Sequence, residues 1–76
     1  MKKQAVQYNR IKGALADATV SNKELAQAIG VTETTVSFWC TNGRQPSIET
    51  LFGIAEYLKI DVRDLLAPNK HARSGK

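Results

Sequence analysis

The chain contains very few of the residue types that small proteins use for cross-linking or catalysis. It has one cysteine and one histidine among 76 residues, so it can form neither an internal disulfide nor a multi-cysteine zinc site. Its seven acidic residues do not cluster, and no nucleophile stands beside a base. We therefore expect no enzymatic activity and no cofactor.

Long apolar segments are absent as well. The N-terminus lacks an apolar signal segment, and no hydrophobic run approaches the length of a membrane span. We therefore expect a cytoplasmic protein without a membrane partner. A chain of 76 residues suffices for one small domain, so no second domain is expected to bind a small-molecule ligand. Such a domain needs tight helix packing or a partner subunit for stability.

Positive charge is in modest excess. The formal net charge is +4 at pH 7, which suits a polyanionic partner without identifying one. Lys2 and Lys3 lie near one end of the chain, and Lys70, Arg73 and Lys76 near the other. We predict a flexible N-terminus at residues 1–5, a folded domain at 6–67 and a disordered basic tail at 68–76.

Apolar periodicity and capping residues predict an all-α fold, a compact bundle of five helices without strands. The first helix is expected from about Gln4 to Ala18, with its apolar stripe at Val6 or Tyr8, Ile11, Ala14, Leu15 and Ala18. An S-x-x-E capping box at Ser21 and Glu24 begins the second helix, Asn22 to Ile29, which ends at a left-handed Gly30.

Three further caps predict the remaining helices. Thr32 precedes a third helix at about 33–41. Ser47 precedes a fourth helix from Ile48, and Asp61 precedes a short fifth helix at 62–66. In the fourth helix, the expected inner stripe is Ile48, Leu51, Ile54, Ala55 and Leu58.

The third helix has two different sides. Val36, Trp39 and Cys40 fall at i, i+3 and i+4, so they share one side, where the large Trp39 belongs in the core. The other side carries Thr34, Ser37, Phe38 and Thr41, whereas solvated helix faces usually carry Lys and Glu. We infer that this face lies against a partner. Only Gly30 to Thr32 separates the second and third helices, and so short a turn makes them cross steeply, as in a helix-turn-helix.

Several motifs resemble one family. They are Ser21-x-x-Glu24-Leu25-Ala26, Ile29-Gly30-Val31-Thr32, Thr35-Val36-Ser37-x-Trp39 and RQPSIETL at 44–51. These motifs are similar to the lambda-repressor-like helix-turn-helix regulators, the Cro and xenobiotic-response-element family, over about Ile11 to Leu66. The resemblance implies a five-helix bundle that inserts its third helix in the major groove of double-stranded DNA, usually as a dimer. The chain departs from the family pattern at Asn22, at Phe38 and in the run Trp39-Cys40-Thr41-Asn42. These departures bear on which DNA sequence the protein recognises more than on its fold.

The resemblance and the chemistry of the side chains together predict the DNA contacts. The expected base contacts are Glu33, Thr34, Ser37 and Phe38. The expected phosphate contacts are Asn22, Lys23, Thr32, Thr41, Asn42 and Arg44, with Arg10 and Lys12 as weaker candidates. Alternatives stay open for Glu33, as an acid that complements the helix dipole, for Asn42, as a left-handed turn residue, and for Arg44, as a solvated charge.

The predicted function is sequence-specific transcriptional regulation, most simply repression. The third helix has no positive charge, so a single domain would bind DNA weakly at physiological salt. We therefore expect a homodimer on a near-palindromic operator, formed through Phe52, Tyr57, Val62 and Leu66. The alternative is an antitoxin or another module that uses the same fold to bind a partner protein.

Overall fold

The computed structural model describes residues 7–68, which form four α-helices and one 3₁₀ turn. The helices are α1 (Ile11–Ala18), α2 (Asn22–Ile29), α3 (Glu33–Cys40) and α4 (Ile48–Leu58), and the 3₁₀ turn is Val62–Leu65. The all-α class is confirmed, whereas the predicted fifth α-helix is wrong. No helix within 7–68 is long and apolar enough to cross a membrane. The predicted flexible segment at 1–5 and the tail from 69 onward lie outside the described residues.

The prediction that the first helix begins at Gln4 is wrong in its described part, because residues 7–10 are not helical. Asn9 instead forms an isolated antiparallel bridge with Leu66. The Arg10 amide donates to the Leu65 carbonyl at 2.8 Å, and the Ala67 amide donates to the Tyr8 carbonyl at 2.9 Å. We call this pairing of residues 8–10 with 65–67 the terminal clasp. It uses backbone groups that a longer helix would have bonded internally.

All four predicted caps are confirmed. The side-chain oxygens of Ser21, Thr32, Ser47 and Asp61 accept from the backbone amides of Glu24, Thr35, Thr50 and Arg63, at 3.0, 3.1, 3.1 and 2.8 Å. The Glu24 carboxylate also accepts from the Ser21 amide at 2.8 Å, which completes the capping box. Gly30 then ends α2 with a left-handed φ of 89°, as predicted. These local bonds determine where α2, α3 and α4 begin.

One core joins all the elements. Its buried members are Ile11, Leu15, Leu25, Ala26, Val36, Trp39, Leu51, Ile54, Ala55 and Leu65. The predicted burial of Val36 and Trp39 is confirmed. Leu65 is fully buried, so the 3₁₀ turn packs into the core although it is not an α-helix. Three predicted stripe residues are wrong. Tyr8 precedes α1 and is exposed, Ala18 at the end of α1 is exposed, and Ile48, in the first position of α4, is 62% exposed.

Candidate nucleic-acid interface

The face of α3 opposite the core is open to a partner. Thr34, Ser37, Phe38 and Thr41 are all exposed, while Val36 and Trp39 on the other side are buried. Helices α2 and α3 pack against each other, and the Gly30–Thr32 turn between them holds α3 on the surface of the bundle. The helix therefore presents hydroxyl groups and one aromatic ring along its outer side, with no positive charge and with the exposed Glu33 at its first position.

The start of α2 lies beside the end of α3. The half-buried Cys40 thiol donates to Asn22 Oδ1 across 3.6 Å. Burial raises the pKa of this thiol, although the charge of Lys12 opposes the shift, so the sulfur is protonated and able to donate at neutral pH. The contact uses the oxygen of Asn22, whereas a phosphate would accept from its Nδ2 group. The next residue, Lys23, is exposed.

Asn42 is tied to the terminal clasp. Its Oδ1 accepts from the amides of Tyr8 and Asn9 at 2.8 and 3.0 Å, and its Nδ2 donates to the Asn9 carbonyl at 3.2 Å. Its backbone has a φ of 63°, which confirms the alternative interpretation as a left-handed turn residue. A phosphate contact through Nδ2 would compete with the bond to Asn9.

Asn9 is a central residue that the sequence analysis missed. It is 2% exposed, and its Nδ2 donates to the Trp39 carbonyl at 3.0 Å and to Gln45 Oε1 at 2.7 Å. Its Oδ1 accepts from the Ile11 amide at 2.9 Å. An asparagine side chain often accepts from the backbone amide two residues later, so the sequence offered a signal for the bond to Ile11. Nothing in the sequence indicates the bonds to Trp39 and Gln45. Asn9 thus joins the start of α1 to the end of α3 and to the following loop.

Two cations at the start of α1, Arg10 just before it and Lys12 in its first turn, share a groove with the end of α3. The open groove of about 560 Å³ is lined by Arg10 and Lys12 on one side and by Cys40, Thr41 and Asn42 on the other, among other residues. Both cations are exposed. The structure thus places these two weaker phosphate candidates next to Thr41, one of the stronger ones.

Arg44 lies over the ring of Phe38. Its guanidinium carbon is 5.4 Å from the ring centroid, within the usual range of a cation–π interaction. The Phe38 carbonyl accepts from the backbone amides of Gly43 and Arg44 at 2.9 and 3.3 Å. The loop after α3 is therefore folded back onto α3 itself.

The described residues carry no overall positive charge, although several separate cations lie on their surface. Positions 7–68 hold six of the eleven Lys and Arg residues but all seven Asp and Glu residues, a net charge of −1. Among these residues, no group of three or more His, Cys, Asp or Glu side chains is placed to hold a metal ion. An anionic partner would therefore meet individual cations at Arg10, Lys12, Lys23 and Arg44.

Comparison with known proteins agrees with this geometry. A helix-turn-helix family model matches residues 11–65. A crystal structure of a candidate DNA-binding protein from Bacteroides fragilis is 42% identical with a TM-score of 0.79, over 82% of this chain and 100% of that chain. A crystal structure of the transcriptional regulator VanUg is 28% identical with a TM-score of 0.63, over 88% of each chain. No curated protein matches the chain.

The family match spans α1 to the 3₁₀ turn, and it includes the capped helices, the Gly30 turn and the exposed face of α3. The resemblance predicted from the sequence is therefore confirmed: the chain belongs to the Cro/C1-type helix-turn-helix family of DNA-binding transcriptional regulators.

Proposed function

We propose that the protein is a cytoplasmic, non-enzymatic repressor that binds a near-palindromic operator as a homodimer, with α3 in the major groove. The observation that carries this proposal is the exposed, hydroxyl-rich face of α3, which has no positive charge, with cations at the start of α1, on α2 and in the Arg44 loop on neighbouring segments. Because this face carries Thr34, Ser37 and Phe38 rather than long cations, it can approach base edges closely. The neighbouring cations can meet the phosphates on either side of the groove.

Base contacts come from the first two turns of α3. Thr34 and Ser37 can donate to or accept from base edges, and the Phe38 ring can pack on a thymine methyl group. Glu33 is exposed in the first turn of α3, where it can accept from a cytosine amino group. Its charge repels phosphates, so it also disfavours sites that do not offer this donor.

Phosphate contacts surround this reading face. Asn22 and Lys23 are the first two residues of α2, where free backbone amides favour an anion. Thr32 precedes α3 and Thr41 follows it, and both are exposed. Arg44 extends the surface beyond α3, and the groove position of Arg10 and Lys12 adds two cations. We assign Asn42 mainly to holding the terminal clasp, with any phosphate contact secondary to that role.

The homodimer is proposed to form through the face of α4 and the 3₁₀ turn. Phe52, Tyr57 and Leu66 are 57, 44 and 43% exposed, and Phe52 and Val62 line one shallow depression. Exposed apolar surface formed by large side chains is a candidate subunit interface. A second copy that covered it would also double the number of phosphate contacts, with half-sites about 34 Å apart.

Selection of bound sequences from a random duplex pool, followed by binding at several salt concentrations, tests the proposal. We expect a near-palindromic motif and a slope of log affinity against log salt on the order of −4 or steeper, as for a dimer that neutralises about five phosphates. Absence of any enriched motif would reject the proposal. If a protein also co-purified tightly, the antitoxin-like alternative would explain the fold instead.

A further inference from the structure

We propose that Phe38 is a positioning residue for Arg44 as well as a base-reading residue. In this view, recognition of a thymine and neutralisation of a neighbouring phosphate form one coupled unit. The inference rests on the proposed function, because it assumes that α3 enters the major groove. The Phe38 ring cannot itself bond a phosphate, but in this view it strengthens the phosphate contact of Arg44.

The first support is the position of the Arg44 side chain. The guanidinium carbon lies 5.4 Å from the centroid of the Phe38 ring, close enough for the ring to attract the cation. Within residues 7–68, the ion pair present joins Arg63 to Asp61, so no carboxylate neutralises Arg44. An aromatic partner restrains the guanidinium while preserving its full charge and its hydrogen-bond donors for a phosphate.

The second support is the backbone of the loop. The Phe38 carbonyl accepts from the amides of Gly43 and Arg44 at 2.9 and 3.3 Å and from the Thr41 hydroxyl at 3.3 Å. A Cβ atom placed on Gly43 would lie 3.4 Å from Cδ1 of the Phe38 ring. The loop therefore lies directly against the ring, and the same residue orients both the backbone and the side chain of Arg44.

The third support is the exposure of the ring. Phe38 is 44% exposed, so the ring still offers apolar surface to a base while it contacts the guanidinium. Thr34 lies one helical turn before it on the same side of α3. Thymine presents a methyl group in the major groove that cytosine and uracil lack, so such a ring can distinguish thymine from both.

The coupling follows from preorganisation. An arginine on an exposed loop loses rotamer freedom when it binds a phosphate, and this loss opposes binding. Stacking on Phe38 removes part of that freedom before DNA arrives. Loss of the ring should therefore weaken the phosphate contact of Arg44 in addition to the methyl contact of Phe38.

One test of the pair needs no DNA. In the NMR spectrum of the full chain, the ring current of Phe38 should shift the Arg44 Hδ and Hε resonances upfield. The shift should disappear in Phe38→Leu and persist in Phe38→Tyr, which keeps the ring. Phe38 is outside the core, so both variants should fold, which urea unfolding verifies. Absence of the shift in the unsubstituted protein would overturn the pair whatever the protein binds.

The second test is a double-mutant cycle on the selected operator. Arg44→Ala should weaken binding about tenfold, as for one lost charged hydrogen bond, and make the salt slope shallower by about one. In the Phe38→Leu background, the same change should cost only about twofold, because Arg44 is already released. Phe38→Leu alone should also make the salt slope shallower, whereas Phe38→Tyr should leave it unchanged.

The base-reading half of the unit is tested with deoxyuridine. Replacing the contacted thymine by deoxyuridine removes one methyl group and should weaken the unsubstituted protein about fourfold, but should leave Phe38→Leu nearly unaffected. The coupling would be overturned if Arg44→Ala weakened binding by the same factor in the unsubstituted protein and in Phe38→Leu, and if Phe38→Leu left the salt slope unchanged. Failure of the unsubstituted protein to select any duplex would instead reject the proposed function, and the coupling on DNA with it, while the NMR result would stand.

Discussion

The side-chain amide of Asn42 holds the backbone of Asn9 by two hydrogen bonds, accepting from its amide at 3.0 Å and donating to its carbonyl at 3.2 Å. Asn42 follows α3, and Asn9 belongs to the terminal clasp. Asn9 in turn donates to the Trp39 carbonyl inside α3. The proposed DNA-reading helix and the paired ends of the folded domain therefore stabilise each other.

Replacing Asn42 tests this connection. Asn42→Ala removes four side-chain hydrogen bonds, one of them from Gln45 Nε2 at 3.3 Å, and leaves a Cβ-bearing residue without polar compensation at a φ of 63°. We expect the free energy of unfolding in urea to fall by about 2–4 kcal/mol. Asn42→Gly tolerates the left-handed backbone, so it should be less destabilising by about 1 kcal/mol. An Asn42→Ala variant within about 0.5 kcal/mol of the unsubstituted protein would contradict the proposed role of the clasp.

Single hydroxyl deletions on α3 should change sequence preference. Thr34→Ala or Ser37→Ala should alter the preferred base at one or two operator positions, at a cost of about 1–3 kcal/mol in binding. Arg44→Ala should weaken binding to all sequences alike. Binding to a panel of single-base operator variants distinguishes the two kinds of effect. Uniform losses from all three variants would refute the division into base and phosphate contacts.

A charge on the exposed face of α4 should separate the proposed dimer. Phe52 is 57% exposed, so Phe52→Glu should leave the fold intact while placing two carboxylates close together across the interface. We expect sedimentation analysis to show a dimer for the unsubstituted protein and a monomer for Phe52→Glu.

Gln27→Glu provides the control for Phe52→Glu, because it adds the same charge at an exposed position of α2. This variant should remain dimeric. A protein that is monomeric at tens of micromolar both with and without operator DNA would exclude the proposed dimer.

Acid should remove the contribution of the Asp61 cap. Hydrogen bonds from the Arg63 side chain and backbone lower the pKa of Asp61 from 3.8 to about 2. A carboxyl group whose pKa is lower in the folded state stabilises it above the unfolded pKa, and this stabilisation is lost as pH falls through the folded pKa. The stability difference between the unsubstituted protein and Asp61→Asn should therefore be constant above about pH 5 and shrink from about pH 4 to 2.

Arg63→Gln keeps the carboxyl group of Asp61 but removes its ionic partner, which contacts it at 2.9 Å. Chemical denaturation of this variant across the same pH range should show a weaker acid dependence than the unsubstituted protein. If the stability difference between the unsubstituted protein and Arg63→Gln stayed the same from pH 6 to pH 2, the ion pair would make no contribution to the acid dependence.

Charges outside the described residues should govern non-specific DNA binding. The described residues have a net charge of −1, whereas the whole chain has +4. Replacing Lys70, Arg73 and Lys76 by Gln should weaken binding to a random duplex and make its salt slope shallower by at least about one. The operator motif selected from a random pool should not change. An unaltered salt slope would show that these residues do not contact DNA.

Local sequence features sufficed to predict much of this protein. The caps at Ser21, Thr32, Ser47 and Asp61 involve partners two or three residues away, so residue type and spacing indicate them directly. The same holds for Gly30, whose positive φ glycine tolerates best. Helical periodicity was enough to place Val36 and Trp39 in the core and Thr34, Ser37 and Phe38 on the outer face of α3. The individual DNA contacts of that face stay predictions.

Only the tertiary structure decided where α1 begins, how the domain ends and how the Arg44 loop is held. Asn9 and Asn42 are 33 positions apart, and Arg44 meets the Phe38 ring only because the loop folds back. The 3₁₀ turn at Val62–Leu65 is followed by residues that pair with 8–10, and its Leu65 is buried in the core. At the start of α1 and at the 3₁₀ turn, the expected helix was replaced by bonds and packing between residues distant in sequence, which no local pattern specifies.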